Sequence, residues 1–170
     1  MKYIDVDIFG GCGNISCQGD LVTLNDTACM KMMGGKYKYY LSFESSFCKD
    51  YITEKFYKTL ITDLVPIARG GADYASIIPK KWYINTADYA SPKDLAAYLH
   101  SLDKNPEKYA SYFKDRNLYK RKVFYGVRWV NAWCDLCEKL QNPNKYKNVY
   151  HNISDWWGEK HCHNPKDVKY

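Results

Sequence analysis

Apolar and acidic residues alternate from Tyr3 to Phe9, with Ile4, Val6 and Ile8 set against Asp5 and Asp7. A period of two predicts a β-strand there, ended by Gly10-Gly11-Cys12-Gly13. Residues 10–35, rich in glycine and holding three cysteines, read as loop tethered by a disulfide. A second strand is predicted over Tyr37–Phe43, closed by the polar turn Glu44-Ser45-Ser46. Thr53 then serves as N-cap of a helix through about Asp63, with Phe56, Tyr57, Leu60, Ile61 and Leu64 on its apolar face. Val65-Pro66-Ile67-Ala68 forms a short strand stopped by Gly70-Gly71, and Lys81–Asn85 forms the next. Ser91-Pro92-Lys93-Asp94 and Asn105-Pro106-Glu107 are helix starts, each with a capping side chain and a proline at the first helical position. Leu95, Tyr98, Leu99 and Leu102 line the first of these helices, and Tyr109, Tyr112 and Phe113 the second. A last helix is expected over Lys122–Gln141, with Val123, Val127, Val130, Cys134 and Cys137 at helical spacing. Strands alternating with helices predict an α/β domain with a parallel sheet.

Composition narrows this further. A chain of 170 residues with 16% aromatics is large and apolar enough for one real core. The net charge of +6 favours phosphate-bearing partners. The basic residues are dispersed, and Lys120-Arg121-Lys122 is too short a run for a nucleic-acid patch, so no nucleic acid is expected as partner. No apolar run approaches the roughly 20 residues of a membrane span, and carboxylates at Asp5 and Asp7 interrupt any signal-peptide core. Seven cysteines (Cys12, Cys17, Cys29, Cys48, Cys134, Cys137 and Cys162) and three sequons at Asn14, Asn25 and Asn152 point instead to disulfides, N-glycosylation and the secretory pathway. Secretory chemistry without a targeting signal suggests a longer protein.

The candidate chemistry lies after the second strand, in Phe43-Glu44-Ser45-Ser46-Phe47-Cys48-Lys49-Asp50-Tyr51-Ile52-Thr53-Glu54-Lys55. Open α/β sheets bind ligands beyond the carboxyl ends of their strands, beside helix N-termini whose N–H groups suit a diphosphate. Glu54 has the chemistry to accept both hydroxyls of a ribose, and Lys55 to neutralise phosphate. Tyr51 is suited to packing on a base or sugar. A capped surface helix with Glu54 merely complementing the dipole is the plainer account of the same residues.

Tyr39-Tyr40-Leu41-Ser42-Phe43-Glu44-Ser45-Ser46 followed by Asp50-Tyr51-Ile52-Thr53-Glu54-Lys55 closely resembles the signature of the inverting α1,3/4-fucosyltransferases. The likeness runs on through Val65-Pro66-Ile67, Gly70-Gly71-Ala72-Asp73-Tyr74, Ser91-Pro92-Lys93-Asp94-Leu95-Ala96, Leu102-Asp103-Lys104-Asn105, Tyr112-Phe113 and Cys134-Asp135-Leu136-Cys137. Ile4-Asp5-Val6-Asp7, Gly10 and Cys12-Gly13 fit it as well. The resemblance implies an incomplete Rossmann-like domain, the C-terminal half of a GT-B type enzyme that moves L-fucose from GDP-β-L-fucose to a GlcNAc of a glycoprotein glycan. Residues 1–141 would be a partial GDP-fucose-binding domain and residues 142–170 a polar tail. The same resemblance sets Ser45, Tyr51, Glu54 and Lys55 on the donor, implies no metal, and implies the lumenal side of the Golgi membrane. It places the general base, the acceptor domain and the membrane anchor upstream of residue 1, so transfer by these residues alone is not expected.

The family commonly carries asparagine where this chain has Ser45, a shorter side chain without an amide donor. Two other accounts stay open. One is a non-catalytic remnant that binds a GDP-sugar. The other is a small zinc module built from Cys134-x-x-Cys137 and His161-Cys162-His163.

Overall fold

Three parallel strands, β1 (Tyr39–Phe43), β2 (Val65–Arg69) and β3 (Ile84–Asn85), lie side by side in that order. They belong to a computed structural model that describes residues 2–16, 27–118, 127–158 and 161–165. The helices are α1 (Thr27–Lys36), α2 (Glu54–Tyr57), α3 (Pro92–Asp103), α4 (Pro106–Ala110), α5 (Val127–Gln141), α6 (Pro143–Tyr146) and α7 (Ile153–Trp157). The chain divides into two units, Met1–Arg116 with Cys162–Tyr170, and Asn117–His161.

Strand β2 is central, and every residue of it except Arg69 is buried, as a strand covered on both faces requires. Val65 and Ile67 pack with Ile84, Leu99 and Leu102 on one face. Ala68 joins Phe56, Tyr74, Ile78, Trp82 and Tyr83 on the other. The predicted cap of α3 forms, with Ser91 Oγ accepting from the Asp94 N–H at 3.2 Å. So does that of α4, with Asn105 Oδ1 accepting from the Lys108 N–H at 2.9 Å.

Three expectations fail, each for a physical reason. Residues 3–9 form no strand. Side-chain ties hold them beside β1 in place of a ladder: Tyr37 donates to Asp7 at 2.5 Å, Phe9 stacks edge-on against Tyr37, and the Tyr3 carbonyl meets His100. A cavity of about 600 Å³ lies here, lined by Ile4, Val6, Met30, Met33, Tyr39 and Leu41 among others. The loop expected up to residue 35 contains α1, because Cys29, Met30 and Met33 bury themselves against Leu64 and tertiary packing overrides a weak helical pattern. Gly34, in the last turn of that helix, lies close to the Thr62–Asp63 turn, where a Cβ would stand 3.3 Å from the Asp63 nitrogen. The helix expected from Thr53 to about Asp63 shrinks to the single turn of α2 and a 3₁₀ turn, Lys58–Ile61. Thr59 and Thr62 hydroxyls donate to the Phe56 and Thr59 carbonyls at 2.6 and 2.9 Å, competing with an α-helical ladder.

In the second unit α5 ends at Gln141 as expected, while its expected start at Lys122 lies outside the described residues. Cys134 and Cys137 are exposed on it rather than part of an apolar seam. The tail beyond Asn142 contains α6 and α7. No helix among the described residues is long and apolar enough to cross a membrane.

Arg116 clasps the base of the sheet. Its guanidinium is buried and donates to the carbonyls of Leu64 at 2.9 Å and Trp82 at 2.6 Å, joining the segments that enter β2 and β3. Burial pushes its pKa down to about 10, still charged at neutral pH. Arg116→Met keeps the stem and deletes both bonds. We expect it to lose about 2–4 kcal/mol of stability, read as a lower urea midpoint by tryptophan fluorescence; an unmoved midpoint would show the clasp to be dispensable.

Candidate functional site

The loop between β1 and α2 is closed at its neck by one side chain. Glu44 follows directly on β1, and its main-chain N–H donates to the Arg69 carbonyl at 2.8 Å, continuing the register of β1 with β2. Its carboxylate is fully buried. One oxygen accepts from the Thr53 main-chain N–H and the other from the Thr53 hydroxyl, each at 2.8 Å. Thr53 occupies the N-cap position of α2, yet its hydroxyl makes no capping bond to a main-chain N–H of that helix. The expected cap is thus spent on closing the loop. Sequence reasoning passed over Glu44; its only signal was an acidic residue directly after an apolar strand.

Between these ends the chain turns tightly. Tyr51 N–H donates to the Cys48 carbonyl at 3.3 Å, with Asp50 at a φ of 63° in the left-handed region that aspartate tolerates. The turn brings the Tyr51 hydroxyl to 3.3 Å from Ser45 Oγ. At the far end Lys55 Nζ stands 3.3 Å from Thr53 Oγ1, 3.9 Å from Glu44 Oε2 and 4.0 Å from Glu54 Oε1. Glu54 and Lys55 side chains remain 46% and 38% exposed, so neither is buried in a mutual ion pair. All four residues singled out from sequence lie on this loop or the helix it feeds. With only four residues, α2 offers little macrodipole, so anion recognition here falls to side-chain charge. The cavity beside residues 4–9 includes none of the four in its lining.

Two neighbours hold the loop down. Gly70-Gly71 leaves no room for side chains: a Cβ on Gly70 would stand 2.6 Å from the Tyr74 hydroxyl, and one on Gly71 would stand 2.5 Å from the Phe47 carbonyl carbon. That Tyr74 hydroxyl is buried without a hydrogen-bond partner among the described residues, and desolvation pushes its pKa upward. Arg69 lies over the Phe47 ring at 4.6 Å. From the other side Cys48 is bonded to Cys162, and the His163 N–H donates to the Phe47 carbonyl at 2.9 Å.

The cysteine expectations divide accordingly. Cys48 and Cys162 are bridged and Cys29 is disulfide-bonded, while Cys17 lies outside the described residues. Cys12, Cys134 and Cys137 are free thiols and not disulfide partners. Cys134 and Cys137 are one helical turn apart, where Cβ atoms stand about 5–6 Å apart, beyond the span of a disulfide. The bridge also removes Cys162 from the zinc set, and the described residues contain no group of three metal-ligating side chains. Of the sequons, Asn14 and Asn152 are exposed, Asn152 also capping α7, and Asn25 lies outside the described residues.

Residues 1–156 match the family described as glycosyltransferase family 10 (fucosyltransferase), C-terminal. The chain belongs to that family. It is 35% identical to alpha-(1,3)-fucosyltransferase C of Drosophila melanogaster over 92% of its own length and 35% of that protein. Glycoprotein 3-alpha-L-fucosyltransferase A of the same organism is 38% identical over 92% of this chain and 30% of that protein. A human 4-galactosyl-N-acetylglucosaminide 3-alpha-L-fucosyltransferase is 34% identical, over 91% of this chain and 40% of that protein. The family 10 chain therefore spans roughly a third of the curated relatives it matches. Its fold is similar to a crystal structure of an alpha1,3-fucosyltransferase with GDP-fucose, at a TM-score of 0.53 and 18% identity, covering 82% of this chain and 39% of that one. The incomplete, Rossmann-like α/β fold is the expected one.

The Cys48–Cys162 bridge spans 114 residues. Cys162→Ser is expected to cost about 2–5 kcal/mol, lowering Tm and speeding tryptic cleavage after exposed Lys49. Equal melting and cleavage would show that the loop needs no tether.

Proposed function

We propose that this chain is the donor-binding part of an α1,3-fucosyltransferase and holds GDP-fucose on the surface built by residues 44–55. The observation that carries this is the loop closure that sets half-exposed Lys55 beside Glu54 and pairs Ser45 with Tyr51, beyond the carboxyl end of β1, in a chain that belongs to family 10. Glu54 would accept from the ribose hydroxyls and Lys55 would face the diphosphate. Tyr51 and Ser45 would complete the donor pocket.

Transfer of L-fucose with inversion needs charge stabilisation on the departing GDP. Lys55 supplies a fixed positive charge for that purpose, and we propose that no metal is required. The general base and the pocket for a GlcNAc-bearing glycan are assigned to other parts of the complete enzyme, working on the lumenal side of the Golgi membrane. A binding-only role for the 170 residues has one observation in its favour: Ser45, the residue that replaces the family's asparagine, already spends its hydroxyl on Tyr51.

Calorimetry on the purified chain tests the donor site that both readings share. GDP-fucose should bind, and Lys55→Ala should weaken it about tenfold to a hundredfold, the value of one charge-assisted bond. Lys93→Ala, on the exposed side of α3, should leave it unchanged; Lys58 is unsuitable as a control because it is buried. Equal effects at Lys55 and Lys93 would remove the diphosphate from this loop. Labelled fucose on a GlcNAc acceptor would show that the 170 residues suffice for transfer.

A further inference from the structure

The Thr53 hydroxyl is the middle member of a three-group chain. Lys55 Nζ donates to Thr53 Oγ1 at 3.3 Å, and Oγ1 donates its own proton to Glu44 Oε2 at 2.8 Å. The direction is forced, because an ammonium only donates and a carboxylate only accepts. With its hydroxyl proton committed to Glu44, Thr53 can offer Lys55 nothing but a lone pair. The other Glu44 oxygen is taken by the Thr53 main-chain N–H at 2.8 Å, so the carboxylate cannot rotate away. Lys55 is fixed from a second side, since Ser42 Oγ, on β1, donates to the Lys55 carbonyl at 3.1 Å. The backbone and the charged end of one long, otherwise flexible side chain are thus both held. Glu44 itself is wholly buried and lies beyond reach of a ligand in solvent, whereas Lys55 is half-exposed.

We infer, on the nucleotide placement proposed above, that Glu44 and Thr53 are positioning residues that pre-set the Lys55 ammonium for a nucleoside diphosphate, and so confer preference for GDP over guanosine. They act through Lys55 and touch no ligand. Holding the cation in place before the ligand arrives spares the ordering entropy that a free lysine side chain would lose on binding.

The test is calorimetry of the full 170-residue chain with GDP and with guanosine. Thr53→Val keeps the side-chain shape and deletes the hydroxyl. It should weaken GDP about five- to tenfold, the range of a hydrogen bond to a charged group, and leave guanosine unchanged. Thr53→Ser should restore GDP binding. Glu44→Gln is a second, isosteric variant. Its amide would donate to Oγ1 and release the Thr53 proton, so the lone pair facing the ammonium is no longer fixed, and it should lose GDP and keep guanosine in the same way. In a Lys55→Met background, Thr53→Val should have no further effect on GDP, because coupled residues are non-additive. Normal GDP binding by either Thr53→Val or Glu44→Gln overturns the inference. Parallel loss of GDP and guanosine, or failure of Thr53→Ser to rescue, also overturns it and assigns these residues to structure alone. If Lys55→Met binds GDP as the unmodified chain does, the diphosphate placement itself falls; if Lys55→Met loses GDP while both positioning variants keep it, only the relay falls.

Discussion

A carboxylate stripped of water is stable only where hydrogen bonds replace its hydration, and the loop after β1 is organised around that requirement. Glu44 meets it with two 2.8 Å bonds to a single residue, Thr53, nine positions ahead. The desolvation of one ion amounts to several kcal/mol, so the closed loop depends on the two Thr53 donors that offset it. Ser45, Tyr51 and Lys55 inherit their positions from that closure. The strand contributes as well, because the Glu44 N–H is the last rung joining β1 to β2.

Around this neck the structure removes alternatives. The absence of a side chain at Gly71 lets the chain leaving β2 approach the Phe47–Cys48 backbone to within contact distance, and at Gly70 it leaves room for the Tyr74 and Glu44 side chains. The Cys48–Cys162 bridge and the His163–Phe47 hydrogen bond tie down the opposite side with residues from far along the chain. A loop of this length without regular structure would otherwise be mobile. Here it is held by a buried charge, a covalent cross-link and a steric fit.

Charge at the site comes from side chains more than from backbone. A four-residue helix gives little dipole, and the short threonine-rich segment behind it tightens into a 3₁₀ turn that continues into β2. A nucleoside diphosphate on this surface would be met chiefly by Lys55, whose head group is already directed by Thr53. The neighbouring sheet supplies rigidity: β2 is buried on both faces, and Arg116 locks the segments entering β2 and β3.

Local physics is enough to specify the capped starts of α3 and α4, the apolar run of β2, and the strand at 39–43, because a proline, a capping oxygen and a hydrophobic period act over a few residues. The motif from Asp50 to Lys55 also marks the family from sequence alone. The rest depends on residues distant in sequence. Residues 3–9 alternate like a strand but are held by Tyr37 and His100 instead of a ladder. Helix α1 exists because Leu64 receives its methionines. Cys48 could not be assigned a partner until the fold brought residue 162 beside it. The role of Glu44 follows from its burial, and burial is a property of the packed structure: the same glutamate on an exposed turn would be an ordinary solvated charge.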